Sequence, residues 1–474
     1  MKQKRWLAVW LIIVLLGLIV AGSNVYIVDP FFHYHEPNLN QYYYELNNQR
    51  SQNDGIIKHF DYDAMLVGTS MCSGFKNTEI DELFECNSIK TTFSGAFYKE
   101  INDNIETALR VNPDLKLVIR GLDLSYCMRI DENRTDLGVY PTYLYNKNPL
   151  DDVHYLINRD ILFGRVYPMI IGSKQGVTPG ITSFDEYPGY MEGYSFGINT
   201  VVPDGVTVVE TSDFSHLTDS DKEIIKKNLE QNVIRTADEN PEVDFYYFFP
   251  PYSMAYWCQV YNQGEIYSWL EAEKYMAELI VPHHNIHLFS FFGRQDIITD
   301  LNNYKDSMHY ASWICSLMLK WMKEENGRLT EDNYLEILEQ DYRSLTEYDY
   351  ALLNAQMDYE ADYYAAAVVN KELSGADPLN VSEDFKNGIR RYYNLDDGYN
   401  YLCFNGQKLS GEGKSTISVY NNNNELLIKK EIEYTDSDFD KHQFVMDLTY
   451  YTGDVTIAVD NLDSEYDISE MTLY

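Results

Sequence analysis

The sequence contains few cysteines, few basic residues and no phosphate-cradling glycine loop, and each scarcity excludes a class of protein. Among 474 residues there are only 6 cysteines, and none forms a CxxC pair, which argues against zinc ribbons and thioredoxin-like redox sites. Only 37 lysines and arginines stand against 74 aspartates and glutamates, so the formal net charge is −37. Because so acidic a chain repels phosphate backbones, we expect no nucleic-acid partner. We also expect no cofactor and no metal site.

One long apolar run stands at the start of the chain. Residues Trp6 to Val28 carry no charge and number about 23, which is enough to cross a bilayer as a helix. Three basic residues within positions 2–5 precede the run, which predicts a cytoplasmic N-terminus and an extracellular remainder. A cleaved signal peptide is the alternative, with a fair cleavage site at Ala21–Ser23. The run is long for such a peptide, so we expect residues 1–28 to form a single-pass cell-membrane anchor.

The rest of the chain is too long for one ordinary core, and its pattern changes along its length. Short apolar runs alternate with helical periodicity after about residue 60, which favours a parallel sheet covered by helices on both faces. Near the end, short alternating runs separated by turn signals predict a β-sandwich that would suit carbohydrate binding. We therefore predict a juxtamembrane segment at 29–60, an α/β domain at 61–329 with an insertion at about 127–243, a helical linker at 330–372 and the sandwich at 373–474.

Five apolar runs are predicted to be the strands of the parallel sheet. They are Ala64–Val67, Ile89–Phe93, Leu117–Leu122, Phe245–Phe249 and Ile286–Phe292. The predicted helices are Thr78–Phe84, one that begins near Tyr98, one near Val153–Met169, Glu265–Leu279 and Ser307–Lys323. Sheets of this kind carry their chemistry at the carboxyl ends of the strands.

Residues suited to nucleophilic acyl transfer follow several of these strands. Such chemistry needs a hydroxyl, a base, a group that orients the base, and donors for an oxyanion. Ser70 follows the first strand in LVGTSM, and Gly95 follows the second in TFSGAF. Asp306 and His309 lie in YKDSMHY, where three-residue spacing on a helical turn would place both side chains on one side. Taken singly, each residue also fits a plain structural role as a cap, a turn or a packed side chain.

Five motifs together resemble the SGNH, or GDSL-like, hydrolase superfamily over about residues 61–325: LVGTSM, TFSGAF, IRGLD, FFPPYS and YKDSMHY. The chain looks closest to membrane-anchored proteins of Gram-positive bacteria that are distantly similar to teichoic-acid D-alanylation and alginate O-acetylation proteins. The resemblance implies a three-layer, flavodoxin-like α/β fold with a five-stranded parallel sheet. It also implies that Ser70 is the nucleophile, Gly95 an oxyanion donor, and Asp306 and His309 the acid and base.

The third motif departs from the family pattern. The family has an asparagine there that donates to the oxyanion, whereas this chain reads Arg120-Gly121-Leu122-Asp123. An ionised Asp123 would repel an oxyanion, so its carboxyl group must be protonated or point elsewhere if the site is active.

Two functions remain open at this point. The first is a serine esterase or O-acyltransferase that acts on acyl esters of a surface polysaccharide or teichoic-type polymer through an acyl-serine. The second is a non-catalytic glycan-binding or assembly protein on a decayed SGNH fold. The resemblance further implies a membrane-bound O-acyltransferase as partner.

Overall fold

The computed structural model describes most of the chain and divides it into two compact units. The described residues are 2–129, 140–188, 197–209, 211–355, 379–380, 390–394, 401–421, 425–433, 441–448, 451 and 453–473. The first unit comprises Met1–Tyr194, Glu210–Asp300 and Met308–Tyr348, and the second comprises Ser195–Val209, Leu301–Ser307 and Asp349–Tyr474. Part of the predicted linker, from 356 to 372, lies outside the described residues. The domain boundaries drawn from the sequence stay predictions.

The chain begins with a long apolar helix, α1, which spans Lys2–Val28. It is long and apolar enough to cross a membrane or to be a signal peptide. Its side chains are exposed from Lys4 to Val20, and burial begins only in the last two turns.

The first unit contains a mixed sheet whose strands are mostly parallel. The strands are β1 (Ala64–Gly68), β2 (Ser88–Thr92), β3 (Leu117–Gly121), β4 (Asp244–Phe249), β5 (Ile286–Ser290) and β6 (Arg328–Leu329). Their spatial order is β2-β1-β3-β4-β5-β6. The first five run parallel, which confirms the predicted sheet of parallel strands, and the unpredicted two-residue β6 pairs antiparallel with β5. Every residue of β1, β2 and β3 is buried, so both faces of these strands are covered.

Nine further helices of eight residues or more lie in the described part of the first unit. They are α2 (Gln49–His59), α3 (Asn77–Phe84), α4 (Tyr98–Val111), α5 (Tyr167–Gln175), α6 (Asp219–Leu229), α7 (Met254–Asn262), α8 (Ile266–Ile280), α9 (Ser312–Lys323) and α10 (Tyr334–Thr346). Shorter helical turns are Ser70–Cys72, Leu124–Tyr126, Thr142–Tyr145, Val153–Leu156, Arg159–Ile161, Leu162–Val166, Glu230–Ile234, Arg235–Asp238 and Gln295–Ile298. A small parallel ladder joins Tyr43–Tyr44 to Gly180–Ile181.

Two helix predictions were wrong in their bounds. The last helix of the α/β pattern starts at Ser312 rather than Ser307, because the chain is extended at Ala311 just before it. Asp306 and His309 therefore lie in an irregular segment before α9 and not on a helical turn. The helix expected over 153–169 is broken at Asn158, whose side chain accepts hydrogen bonds from two backbone N–H groups of the following helical turn and so caps it.

The second unit contains a separate antiparallel sheet, as the sequence indicated. Its strands are β7 (Arg390–Asn394), β8 (Tyr401–Asn421), β9 (Leu426–Glu433), β10 (Lys441–Asp447) and β11 (Asp454–Leu473), and Leu379–Asn380 pairs with the end of β11. Short helical turns of this unit are Ile198–Val201, Leu301–Asn303 and Leu352–Ala355. The long strands β8 and β11 pair along their lengths with three register shifts. Side chains from both ends of β8, such as Leu402 and Ile417, belong to one buried hydrophobic cluster. That burial agrees with a sandwich, which stays a prediction.

Candidate active site

The turn that carries Ser70 stands at the carboxyl end of β1. Gly68 has a φ of 144°, and a Cβ there would lie 2.4 Å from Cys72 Sγ, so the turn requires glycine. Thr69 is extended, and its Oγ1 accepts a hydrogen bond from the backbone N–H of Met71 at 3.2 Å. Ser70 then begins a short 3₁₀ turn and is only half-buried. Its hydroxyl is thus presented at the edge where parallel sheets place their chemistry.

His309 contacts this hydroxyl directly. Ser70 Oγ and His309 Nε2 are 2.8 Å apart, although the two residues are 239 positions apart in the chain. The next residue, Tyr310, is buried and donates its hydroxyl hydrogen to the carbonyl oxygen of Met71 at 2.6 Å. That bond fastens the segment carrying His309 to the turn carrying Ser70. The spacing is one across which an imidazole can take the proton of a hydroxyl.

Gly95 lies in the turn after β2, next to the end of β1. The backbone N–H of Phe93 donates to the carbonyl oxygen of Gly68 at 2.9 Å, which joins the two strand ends. Gly95 has a φ of 63°, in the left-handed region that favours glycine. Its donation to an oxyanion stays a prediction.

Asp306 lies three residues before His309 and is half-buried. It belongs to a stretch, Leu301–Ser307, that groups with the second unit, whereas His309 groups with the first. Its predicted role in orienting the His309 ring stays a prediction.

Asp123 has a defined hydrogen-bonding role in the first unit. It caps the 3₁₀ turn that follows β3, where Oδ1 accepts the backbone N–H of Ser125 at 3.2 Å. The hydroxyl of Thr69 donates to Oδ2 at 3.2 Å, and the hydroxyl of Tyr252 makes a very short bond to Oδ1. Both carboxylate oxygens thus accept hydrogen bonds, and the side chain is only 4% exposed. Asp123 ties together the ends of β1, β3 and β4.

Tyr252 supplies the donor that a buried carboxylate needs. Burial, followed by the nearby charge of Asp123, raises the pKa of Tyr252 well above its ordinary value of 10. The phenol therefore keeps its proton and remains a donor. A second buried phenol, Tyr98, donates to the backbone carbonyl oxygen of Asp123 at 3.2 Å.

The sequence interpretation missed three residues at this edge of the sheet: Thr69, Tyr252 and Tyr310. Two of them carried a usable signal. Tyr252 follows β4 in FFPPYS, at the same sheet edge as Ser70, and Thr69 directly precedes the serine. Because parallel sheets carry their sites at the carboxyl ends of the strands, polar side chains just after buried strands are candidate site residues.

Cys72 lies two residues after Ser70 but does not suit nucleophilic chemistry. It is fully buried, and that burial raises the pKa of its thiol to about 12. The thiolate form is therefore scarce at neutral pH. Among the described side chains, the free cysteines are Cys72, Cys86, Cys127, Cys258 and Cys315.

Comparisons with known proteins leave the family of this chain undecided. No protein-family model matches it, and no curated protein is detectably similar. A two-domain esterase active on acetylated mannans is 7% identical with a TM-score of 0.22, covering 86% of this chain and 90% of its own. The capsular polysaccharide assembling protein CapF from Staphylococcus aureus is 12% identical with a TM-score of 0.15, covering 87% of this chain and 95% of its own. An arabinose-bound α-L-arabinofuranosidase is 11% identical with a TM-score of 0.14 and covers 21% of each chain. Similarities this low carry no argument about function.

Proposed function

We propose that this protein is an SGNH-type serine esterase or O-acyltransferase. The hydrogen bond between Ser70 and His309, 2.8 Å long at the carboxyl edge of the sheet, carries the proposal. The strand order β2-β1-β3-β4-β5 supports it, because that order is the flavodoxin-like one that the family resemblance implies.

The chemistry follows from the positions of these groups. Ser70 Oγ attacks the carbonyl carbon of an acyl ester while His309 Nε2 takes the hydroxyl proton. The tetrahedral intermediate collapses, its C–O bond to the alcohol breaks, and His309 returns the proton to the departing oxygen. Water or a sugar hydroxyl then gives its proton to His309 and attacks the acyl-Ser70. The C–O bond to Ser70 Oγ breaks, the acyl group leaves on the acceptor oxygen, and His309 returns the proton to Ser70 Oγ. The first acceptor makes the protein an esterase and the second makes it a transferase.

Oxyanion donors and two carboxyl groups complete the proposed machinery. The backbone N–H groups of Ser70 and Gly95 stabilise the oxyanion, because both belong to turns at adjoining strand ends. Asp306 orients the ring of His309, as the family resemblance implies. Asp123 acts as a positioning residue, since its carboxylate holds Thr69 beside the nucleophile.

The substrate class follows from the proposed membrane location of the protein and from the family resemblance. The apolar helix α1 anchors the protein in the cell membrane with its N-terminus in the cytoplasm, which keeps the site outside the cell and close to the bilayer. Acyl esters of a surface polysaccharide or teichoic-type polymer are the substrate class. A membrane-bound O-acyltransferase would supply or receive the acyl group, and the C-terminal sandwich would contact the glycan.

An activity-based fluorophosphonate probe tests this proposal on the full-length protein in detergent. We expect covalent labelling of the wild type, no labelling of Ser70→Ala, and at least 100-fold slower labelling of His309→Ala. Ser316→Ala is the matched control, because that hydroxyl donates only to a carbonyl oxygen one turn earlier in α9. It should label like the wild type. Failure of the folded wild type to label would refute the enzymatic proposal.

A non-catalytic glycan-binding role is the second candidate, and Asp123 favours it. Its carboxylate stands where the family has an amide donor, and it offers acceptors rather than hydrogens. Binding of surface glycan without probe labelling would establish this second function.

A further inference from the structure

The last two turns of α1 are packed into the folded first unit. Val25 and Val28 are 0% and 1% exposed. A Cβ on Gly22 would lie 3.7 Å from Cβ of Leu156, so this part of α1 contacts the helical turn Val153–Leu156. The anchor helix therefore enters the domain as a rigid element.

Asp29 secures the point where the chain leaves α1. It is buried and has a φ of 46°. Its carboxylate accepts backbone N–H groups of His33, Tyr34 and His35 at 3.0, 2.7 and 3.2 Å. The hydroxyl of Tyr155 donates to the same carboxylate at 2.7 Å. Four donors from two separate parts of the chain leave this junction little freedom to bend.

The freely exposed part of α1 is too short to cross a bilayer alone. The stretch in which every side chain is exposed and apolar runs from Trp6 to Val20, about 15 residues or roughly 22 Å of helix. The hydrocarbon core is about 30 Å thick and needs about 20 residues. The missing depth, roughly 8 Å, falls where one side of α1 already packs against protein, while Tyr26 and Ile27 on the other side stay exposed. The protein packed there must then itself reach the hydrocarbon boundary.

The neighbouring part of the chain, residues 150–177, has the surface that this depth requires. We call it the interface segment. Six of its large apolar side chains are exposed: Leu150, Val153, Ile157, Phe163, Ile171 and Val177. Leu150 is 80% exposed and Phe163 61%.

The helix α5 within the interface segment is also unusual. Its sequence YPMIIGSKQ is largely apolar, yet none of its residues is fully buried: Tyr167, Met169 and Ile170 are half-buried and Ile171 is exposed. An apolar helix without a buried side chain is unfavourable in water but favourable at the boundary of a bilayer. Exposed Arg159 and Lys174 lie in the first and last turns of the helical stretch 159–175, which also contains Asp160 and Arg165, and their side chains can extend towards lipid headgroups.

We infer that the interface segment lies in the membrane interface beside α1 and inserts its apolar side chains into the outer leaflet. The inference rests on the proposed insertion of α1. Lipid is the partner that fits, because the segment packs on α1 at the depth where the membrane must end. The interface segment would then hold the first unit against the bilayer at a fixed orientation.

Quenching by nitroxide-labelled lipid tests this inference on the full-length protein in lipid nanodiscs. An environment-sensitive nitrobenzoxadiazole probe is attached to a cysteine introduced by Phe163→Cys, with half-buried Cys86 and also Cys403 replaced by serine throughout. Ile13→Cys in α1 is the positive control. Leu335→Cys, an apolar position of similar exposure on α10, is the matched negative control.

We expect doxyl-labelled phosphatidylcholine to reduce emission at positions 13 and 163 at least threefold, and to leave position 335 unchanged. Quenching at 13 with none at 163 would overturn the inference and assign the apolar surface to a protein partner. No quenching at 13 would overturn both the anchor and the inference. Neither outcome alters fluorophosphonate labelling of Ser70, so a failure here is distinct from a failure of the catalytic proposal.

Discussion

A buried pair of carboxyl groups at the end of β5 should make the folded protein less stable as the pH rises. The hydroxyl of Ser290 donates to Glu273 Oε1 at 2.6 Å and lies 3.4 Å from Asp341 Oδ2. Glu273 is 1% exposed and Asp341 9%. The single hydroxyl hydrogen of Ser290 cannot donate a full hydrogen bond to both carboxylates. The folded state therefore favours a pair that retains a proton.

The sign of the pH dependence follows from these pKa values. Burial raises the pKa of Asp341 from 3.8 to about 7. Burial first, and then the charge of Asp341, raise the pKa of Glu273 well above 4.5. The folded state therefore binds protons more tightly than the unfolded state. The contribution of the protonated pair to the free energy of unfolding is complete below about pH 4 and is lost as the pH rises through 7. For one carboxyl group with this pKa change, the loss is roughly 4 kcal/mol.

Thermal unfolding of the detergent-solubilised protein between pH 5 and 8.5 measures this effect. Asp341→Asn removes one titrating group, and we expect its melting temperature to decline several degrees less than that of the wild type over this range. Glu339→Gln is the matched control, because Glu339 lies on the same helix and makes only an exposed ion pair with Arg343. It should decline like the wild type. Equal declines for the wild type and Asp341→Asn would refute the reasoning.

Two further substitutions test packing and positioning. Gly55→Ala places a Cβ 2.2 Å from the backbone oxygen of Phe31, so α2 must shift. We expect the free energy of unfolding, measured by thermal unfolding, to fall by roughly 2 kcal/mol or more. Gly164→Ala is the control and should be nearly neutral, because a Cβ there meets nothing within 4 Å. Tyr252→Phe removes a hydroxyl donor from buried Asp123 and should cost roughly 1–3 kcal/mol. In an ester-hydrolysis assay it should lower kcat more than it raises KM, and an unchanged kcat would show that this hydrogen bond does not position the site.

The sequence by itself determined the features that depend on neighbouring residues. A charge-free run of about 23 residues can only satisfy its backbone in an apolar environment as a helix, and α1 follows from that. Alternating apolar runs predicted the five parallel strands, each to within a few residues. Ser70 and Gly95 could be placed at strand ends for the same reason, since each lies within three residues of the end of an apolar run.

The start of α9 was misjudged because helical spacing continues upstream of its true first residue. Only the extended backbone at Ala311 separates the helix from the segment that carries Asp306 and His309. Local periodicity does not reveal such a break when no proline or glycine marks it.

Only the tertiary structure decided which of these groups meet. Ser70 and His309 come together across 239 positions, and Thr69 and Tyr252 reach Asp123 across 54 and 129. Spacing in the sequence gives the period of each helix and strand, but the order of the strands in the sheet determines which side chains meet. The same holds for the exposed surface of α5, because whether an apolar helix is covered depends on how distant parts of the chain pack around it.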